Sequence, residues 1–177
     1  YVDGLLIQPV IGKKKTGDFE EEYIIKSYEI MMEKFYPKEK VIFCTVPTYS
    51  RYAGPREAVF TALLRRNFGA THFIVGRDHT GVGNFYGKYD SQKIFDKLGE
   101  VGIKIIKFHA PFYCNICKQY VTEHTCSHED RIDISGTKIR EMLNQGIFPP
   151  EEVMRSEISE IIIKDIKSGK RVFVEWK

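Results

Sequence analysis

The chain has 177 residues, of which 42% are hydrophobic and 29% are charged, and its formal net charge is +3 at pH 7. These values are close to the averages of soluble globular domains, so they exclude a disordered, a collagen-like and a membrane-spanning chain. So small a charge, without a basic face interleaved with aromatic residues, also argues against nucleic-acid binding.

Apolar runs alternate with helical patterns along the chain. Strands are predicted over residues 5–10, 41–46, 72–75, 103–108 and 132–134. Helices are predicted from residue 23 to a stop at Pro37, from Pro55, over residues 90–98, from Thr137, and over residues 151–167. The alternation implies parallel pairing and predicts a Rossmann-like, doubly wound α/β sheet, whose ligands bind beyond the carboxyl ends of the strands. The continuous apolar run 41–46 predicts burial on both faces.

The loop after the predicted strand 72–75 holds the densest group of chemically active side chains. Gly76, Arg77, Asp78, His79 and Thr80 follow one another there, with further glycines at 81 and 83. Glycines let a ligand approach the backbone closely, and an arginine binds phosphate oxygens through two parallel hydrogen bonds. The spacing fits neither the P-loop nor the dinucleotide-binding pattern. It predicts an anion-binding loop, and the alternative is an exposed turn with incidental charge.

A second candidate anion site comprises Ser135, Gly136, Thr137, Lys138 and Arg140. Thr137 is the expected N-cap, so Lys138 and Arg140 would lie in the first turn, where cations oppose the helix dipole. That placement suits an anionic ligand at the helix N-terminus. The alternative is a capped surface helix with an ordinary charge pattern.

A third loop, around a Gly-Pro turn, carries Arg51 and Arg56. The two arginines could position anions, or they could form ion pairs with Glu57 or Asp78. We expect the two arginines to do both.

The spacing Cys114-x2-Cys117-x8-Cys126-x-His128 indicates a metal site. A Cys-x2-Cys turn places two thiolates on one side, and four protein ligands leave no open position, so the expected ion is a structural zinc. His124 and Asp130 are alternative fourth ligands, and three unrelated thiols are the alternative to a metal site.

Four cysteines are too few for a disulfide scaffold, and residues 1–20 show no secretory signal. We therefore expect a cytoplasmic protein with reduced thiols.

Five segments, at residues 8–18, 51–58, 76–83, 85–90 and 134–140, together resemble the ATP sulfurylases, also called sulfate adenylyltransferases. They follow the family's order and span nearly the whole chain. The resemblance implies a nucleotidyltransferase-type sheet and the reaction of MgATP with sulfate to adenosine 5′-phosphosulfate and pyrophosphate, without a covalent intermediate. It also implies a homo-oligomer for the full-length protein. Bacterial and archaeal members carry a cysteine-rich insertion like that at residues 114–128.

The resemblance also assigns roles to individual residues. Arg77 and His79 would be catalytic, and Gly76, Arg77, Asp78 and His79 would contact ATP. Thr80, where the family usually has alanine, would hold sulfate through its backbone. Pro111 would be a further nucleotide contact, and Ser135, Gly136, Thr137, Lys138 and Arg140 would face the phosphates.

Two departures from the family limit the expected activity. Gln8 stands where the family usually has histidine, and the catalytic motif Gln-x-Arg-Asn-Pro, followed by two histidines, is absent from the sequence. We therefore expect the carboxyl-terminal part of a catalytic region, weak or inactive by itself. A non-catalytic zinc-knuckle module that binds a nucleotide or a partner, and a transferase for another nucleotide, are the rival interpretations.

The predicted division places the nucleotidyltransferase subdomain at residues 1–145, with the zinc knuckle at 112–130. A helical segment with a basic tail follows at residues 146–177.

Overall fold

A computed structural model of the protein describes residues 2–79, 81, 83 and 85–175. Its contacts divide the chain into two units. The first comprises Asp3–Tyr49 and the chain from Pro111 onward, and the second comprises Ser50–Ala110 together with Val2.

Each unit has its own strands and helices. The first unit contains β1 (Leu5–Ile7), β2 (Val10–Ile11), α1 (Glu21–Lys34), β3 (Val41–Phe43) and β4 (Val46–Pro47). The second unit contains α2 (Pro55–Asn67), β5 (His72–Val75), α3 (Asp90–Leu98) and β6 (Lys104–Lys107). The chain then returns to the first unit with β7 (Phe112–Cys114), β8 (Gln119–Val121), β9 (Arg131–Asp133), α4 (Gly136–Asn144) and α5 (Ser156–Lys167).

The strands separated by helices pair in parallel, as the alternation of patterns predicted. In the first unit β1 pairs with β3 and β2 with β4, and in the second β5 pairs with β6. β7 pairs in antiparallel with β8 and β9, and these three strands carry the cysteine-rich insertion. The α/β class with parallel strands and a small cysteine-bearing insertion is thus confirmed.

The two longest predicted strands are each interrupted. Residues 5–10 divide into β1 and β2 at Gln8 and Pro9, and residues 41–46 divide into β3 and β4. Proline has no N–H to donate to a ladder, which explains the first break. At the second break, between β3 and β4, the side-chain amide of the buried Gln8 donates to Cys44 Sγ over 3.2 Å.

The prediction that this strand is buried on both faces is wrong for β3. Val41 is buried, but the side chain of Ile42 is 68% exposed. Successive residues of a strand point to opposite faces, and only one face of β3 is packed: Tyr28 of α1 lies with its ring 5.6 Å from that of Phe43.

Two helix starts differ from their predictions. α4 begins at Gly136 rather than Thr137, because Ser135 has extended backbone angles and its hydroxyl accepts the Lys138 N–H at 3.4 Å, as an N-cap does. α5 begins at Ser156 rather than residue 151. The start of α2 at Pro55 and the bounds 90–98 of α3 are confirmed.

Each unit has a separate hydrophobic core. In the second, Ala58 and Ala62 of α2 are fully buried with Val75, Phe95 and Ile103. Alanines four residues apart lie on one helix face, and because their side chains are small, α2 can pack closely against these core residues. In the first unit the core joins α1, α4 and α5 through Tyr23, Leu143, Ile158, Ile162, Ile163 and Val172.

A buried polar cluster lies within the core of the first unit. Tyr23 donates its hydroxyl to Asp165 Oδ2 over 3.0 Å, and Lys170 Nζ lies 3.0 Å from Asp165 Oδ1. The hydrogen bond from Lys170, supported by that from Tyr23, lowers the pKa of Asp165. Burial, and then the bond to Asp165, raises the pKa of Tyr23 to about 12.

Across the described ranges, no helix has both the length and the apolar character that crossing a bilayer requires.

Replacing Tyr23 by phenylalanine should lower the free energy of unfolding by about 1–2 kcal/mol at pH 7, because a buried carboxylate loses a donor. Urea unfolding followed by circular dichroism would measure the change. Tyr28→Phe, which removes a hydroxyl from the same helix outside this cluster, should cost less.

The penalty of Tyr23→Phe should shrink in acid. A carboxylate with a lowered pKa stabilises the fold above its unfolded pKa, near 4, and that stabilisation is lost as the pH falls through the folded value. A penalty that stays constant below pH 4 would contradict the role of the charged Asp165.

Candidate functional site

The predicted anion loop, residues 76–79, leaves the carboxyl end of β5 directly. Because β6 is parallel to β5, the segment that begins with Phe108 leaves from the same edge. The Phe108 N–H donates to the Val75 carbonyl over 3.1 Å and extends the ladder to this point. This edge of the second unit is therefore where both strands release their loops.

Arg77 and Asp78 form an exposed ion pair in this loop. Arg77 Nε lies 2.9 Å from Asp78 Oδ2. The Asp78 backbone has φ 51°, in the left-handed region, and its N–H donates to the Lys88 carbonyl over 3.1 Å. The guanidinium has five N–H donors in a planar fork, which suits further recognition of phosphate oxygens.

The His79 ring packs into the second unit. It meets the Phe73 ring edge-to-face with 5.6 Å between centroids, and its Nε2 is buried without a hydrogen-bond partner among the described residues. Burial lowers the pKa of His79, Arg65 lowers it further, and the carboxylate of Glu57 opposes both. The imidazole is therefore held in its neutral form at neutral pH. Thr80, the predicted sulfate contact, lies outside the described residues.

The loop with Arg51 is fixed by a buried carboxylate. Glu57 Oε1 accepts the Arg51 N–H at 2.9 Å and Oε2 accepts the Ala53 N–H at 3.1 Å. Glu57 itself is only 5% exposed. Between the two donors Tyr52 has φ 52°, so the carboxylate stabilises a strained turn.

The end of this loop requires glycine. Gly54 has φ 50°, and a Cβ built there would lie 2.5 Å from the Tyr86 ring. Glu57 thus holds the backbone of the loop, and Asp78 pairs with Arg77. The Arg51 guanidinium stacks 4.5 Å above the Phe60 ring.

The residues predicted to face phosphates lie in the first unit. Ser135 caps α4, and Gly136, Thr137 and Lys138 are exposed in its first turn. Arg140 Nη2 lies 3.5 Å from Thr137 Oγ1. No acidic residue stands in this first turn.

Pro111 is also in the first unit, exposed and directly before β7.

The predicted metal ligands come together at the antiparallel sheet. His128 Nδ1 lies 3.5, 3.3 and 3.4 Å from the sulfurs of Cys114, Cys117 and Cys126. The Cys126 sulfur lies 3.8 Å from that of Cys117 and 3.6 Å from that of Cys114. The four side chains could hold a metal ion. The Cys117 backbone N–H, donating to Cys114 Sγ, lowers the pKa of Cys114 to about 6 and so favours its thiolate.

The alternative fourth ligands are placed differently. Asp130 Oδ1 accepts the side-chain amide of Asn115 at 2.7 Å, and the His124 imidazole lies 3.9 Å from Glu123. His128 is therefore the member of the set that joins the three sulfurs.

A sequence profile of the ATP-sulfurylase family matches residues 1–165. The chain belongs to the ATP sulfurylase family. Of the segments that resemble the family, 51–58 contains the loop held by Glu57, and 76–83 contains the described loop residues 76–79.

Curated relatives are similar over most of this chain. The sulfate adenylyltransferase of Pyrococcus abyssi is 50% identical over 164 residues, which are 92% of this chain and 43% of that protein. That of Thermococcus onnurineus is 48% identical over 177 residues, 99% of this chain and 46% of that protein. The chain thus spans less than half the length of the curated relatives it matches.

A solved structure shares the fold. The hexameric APS kinase from Thiobacillus denitrificans superimposes with a TM-score of 0.67 at 17% identity, over 94% of this chain and 31% of that one. At this identity the likeness concerns the fold alone.

Sequence reasoning missed the side chains that hold the ATP sulfurylase loops in place. Ser91 and Gln92 are buried polar residues in the first turn of α3, and Glu57 was considered only as an ion-pair partner. Ser91 and Gln92 stand four and three residues before the buried Phe95, on its side of the helix. The sequence does hold a signal for them, because Ser91 and Gln92 are polar residues at positions where the helical pattern expects apolar ones.

His79 should titrate below its value in the unfolded chain, and Glu57→Gln should lower its pKa further by removing the opposing carboxylate. Because folded His79 binds a proton less readily, stability should fall as the pH drops through the unfolded value near 6.5. Imidazole NMR signals, followed against pH in the folded and in the urea-unfolded chain, measure both values.

Asp96→Asn, which removes an exposed carboxylate of the same unit, is the control for Glu57→Gln. An unchanged His79 pKa in Glu57→Gln, or an equal shift in Asp96→Asn, would contradict the influence of Glu57.

Proposed function

We propose that the chain is the nucleotide-binding part of a sulfate adenylyltransferase, with ATP, sulfate, adenosine 5′-phosphosulfate and pyrophosphate as its ligands. The observation that carries the proposal is the 50% identity with the Pyrococcus abyssi sulfate adenylyltransferase across 92% of this chain. In this reaction a sulfate oxygen attacks the α-phosphorus of ATP in line, as the bond to the departing pyrophosphate breaks. Mg²⁺ would enter with ATP and neutralise part of its charge.

The loop of the second unit would bind ATP through Gly76, Arg77, Asp78 and His79. The Arg77 guanidinium would hold phosphate oxygens, because its planar fork matches them in two parallel hydrogen bonds. Its ion pair with Asp78 is exposed, where such pairs contribute little, so exchange for phosphate costs little. Thr80 would hold sulfate through its backbone N–H.

His79 would act in this site as a neutral group. Its lowered pKa keeps the imidazole uncharged, so it can donate or accept a hydrogen bond without adding charge. The charge that develops on the phosphates would then be stabilised by cations. In the loop of the second unit Arg77 would supply such a cation. In the first unit Lys138 and Arg140 would face phosphates, as the family resemblance implies, together with the N–H donors of the first turn of α4.

The remaining proposed contacts follow the family resemblance. Ser135, Gly136 and Thr137 would approach the phosphates, and Pro111 would contact the nucleotide. Gly136 and Thr137 are exposed, which leaves the first turn of α4 accessible to a ligand.

The chain by itself should turn over weakly or not at all. The family's Gln-x-Arg-Asn-Pro and histidine motif is absent from this sequence, so groups that would bind sulfate and stabilise the departing pyrophosphate are missing from it. Catalysis by positioning fails when part of the positioning set is lacking. A homo-oligomer of the full-length protein and a cytoplasmic location remain predictions.

We further propose that Cys114, Cys117, Cys126 and His128 bind a structural zinc ion. Zn–S distances of about 2.3 Å and Zn–N distances of about 2.0–2.1 Å give tetrahedron edges of roughly 3.8 Å between sulfurs and roughly 3.5 Å between sulfur and nitrogen. The Cys126 sulfur lies 3.6 and 3.8 Å from the sulfurs of Cys114 and Cys117, and the sulfur–nitrogen distances are 3.3 to 3.5 Å. Four protein ligands would make the site closed and non-catalytic.

Isothermal titration with MgATP should detect binding to the chain. Arg77→Ala should weaken it about tenfold to a hundredfold, since a charged hydrogen-bonding group contributes about 1.5–3 kcal/mol. The control is Lys97→Ala, which removes an exposed cation of α3 and should leave the affinity unchanged.

A parallel assay would follow sulfate-dependent release of pyrophosphate. Binding with little or no release is the expected result. Absence of MgATP binding by the unaltered chain would refute the proposed nucleotide-binding function, and rapid release would refute the predicted inactivity of the isolated chain.

Metal analysis should find one zinc ion per chain. Cys126→Ser should lose the metal and lower the melting temperature, because an absent ligand opens the tetrahedron. Cys44→Ser is the matched control, since Cys44 lies outside the cluster, and it should retain the zinc. Equal zinc contents in the two variants would contradict the assignment.

A further inference from the structure

The first turn of α3 holds the anion loop at both of its ends. Gln92 Nε2 donates to the Val75 carbonyl over 3.0 Å, and Ser91 Oγ donates to the His79 carbonyl over 3.1 Å. Val75 directly precedes the loop of residues 76–79, and His79 is its last residue. Two consecutive side chains of one helix therefore fix where this loop begins and where it ends.

Gln92 also connects the two parallel strands. Its Nε2 donates a second hydrogen bond, over 2.8 Å, to the carbonyl of Phe108, the residue that follows β6. The Val75 carbonyl accepts from both Gln92 Nε2 and the Phe108 N–H. The end of this ladder, where pairing would otherwise fray, is thus closed by one side-chain amide.

Burial makes these bonds costly to lose. Ser91 and Gln92 are 4% and 7% exposed. A buried carbonyl that loses its donor cannot gain a water molecule freely, so the backbone moves to find another partner. Without Gln92 the Val75 carbonyl would keep the Phe108 N–H as its donor, whereas the partly buried Phe108 carbonyl would lose this one, next to the start of the loop.

The middle of the loop depends on the same framework. The Asp78 N–H donates to the carbonyl of Lys88, two residues before α3, and Asp78 itself has φ 51°. A residue in the left-handed region persists only where its surroundings hold it. The hydrogen bonds at both ends and in the middle set the direction in which Arg77 leaves the backbone.

We propose that Gln92 is a positioning residue for nucleotide binding: it holds the carboxyl ends of β5 and β6 together, so that residues 76–79 are ordered before ATP arrives. This inference rests on the proposed function, because it assigns the ordered loop to ATP. Order before binding raises affinity by removing the entropy cost of fixing the loop. Gln92 acts through the loop and contacts no ligand itself.

The test compares Gln92→Met, which keeps the length of the side chain but removes both donors, with Gln92→Asn, which keeps the amide but is one methylene too short. Lys97→Met, an exposed substitution on the same helix, is the control. MgATP affinity is measured by titration well below the melting temperature of each variant. Amide hydrogen exchange reports on residues 76–78 and, separately, on the core residues Phe95 and Ile103.

In Gln92→Met we expect MgATP binding about tenfold weaker, the equivalent of one lost hydrogen bond, and faster exchange at residues 76–78. Protection of the core amides should be unchanged, which a general loss of stability would not allow. Gln92→Asn should be intermediate, and it decides the question alone if Gln92→Met does not fold.

Failure of the proposed function and failure of this inference would give different results. If the unaltered chain does not bind MgATP, the proposed function fails and this inference fails with it. If the unaltered chain binds and a folded Gln92 variant binds equally well, the inference alone is overturned. Equal loss of protection in the loop and in the core would likewise overturn it, since Gln92 would then support the whole unit rather than position the loop.

Discussion

The parallel pairing of β5 with β6 is the interaction on which the anion loop of residues 76–79 depends. Parallel strands bring their carboxyl ends to one edge, so the loops that leave them begin side by side. The same pairing ends with backbone groups that have no further ladder partner, and a buried carbonyl without a donor is costly. Any loop at this edge therefore needs donors from outside the ladder, and α3 supplies them.

Side chains of opposite chemistry hold the two loops of the second unit. Glu57 offers two carboxylate oxygens to the amides of the loop before α2, whereas Gln92 offers amide hydrogens to carbonyls around the loop after β5. In both cases the side chain comes from the first turn of a helix whose small or aromatic residues are buried in the same core. The two helices thus contribute to the core and set the loop conformations at once, and it is α3 that contacts the loop carrying Arg77.

Patterns local in sequence were sufficient for much of the fold and for the cluster of three cysteines and His128. The bounds of α3 follow from apolar periodicity, and Cys114, Cys117 and His128 meet because short turns leave few ways to arrange them. Properties set by distant packing could not be predicted in this way. The exposure of Ile42 depends on which face of β3 is covered by α1. The hydrogen bonds of the Gln92 side chain depend on two carbonyl acceptors that lie sixteen and seventeen residues away in the sequence.

The start of α4 shows how a correction of one residue changes a chemical argument. With Ser135 as N-cap, Gly136 occupies the first helical position and Lys138 the third, so one hydroxyl already accepts the Lys138 N–H. A glycine at the first position leaves the surrounding backbone open, with no side chain to shield it. Lys138, now the third helical residue, still opposes the helix dipole, and the first turn contains no acidic residue to balance it, whereas Arg140, now the fifth, lies beyond that turn. The unfavourable charge is therefore offset best by an anion from outside the helix, which is the role that the proposed function gives to the phosphates of ATP.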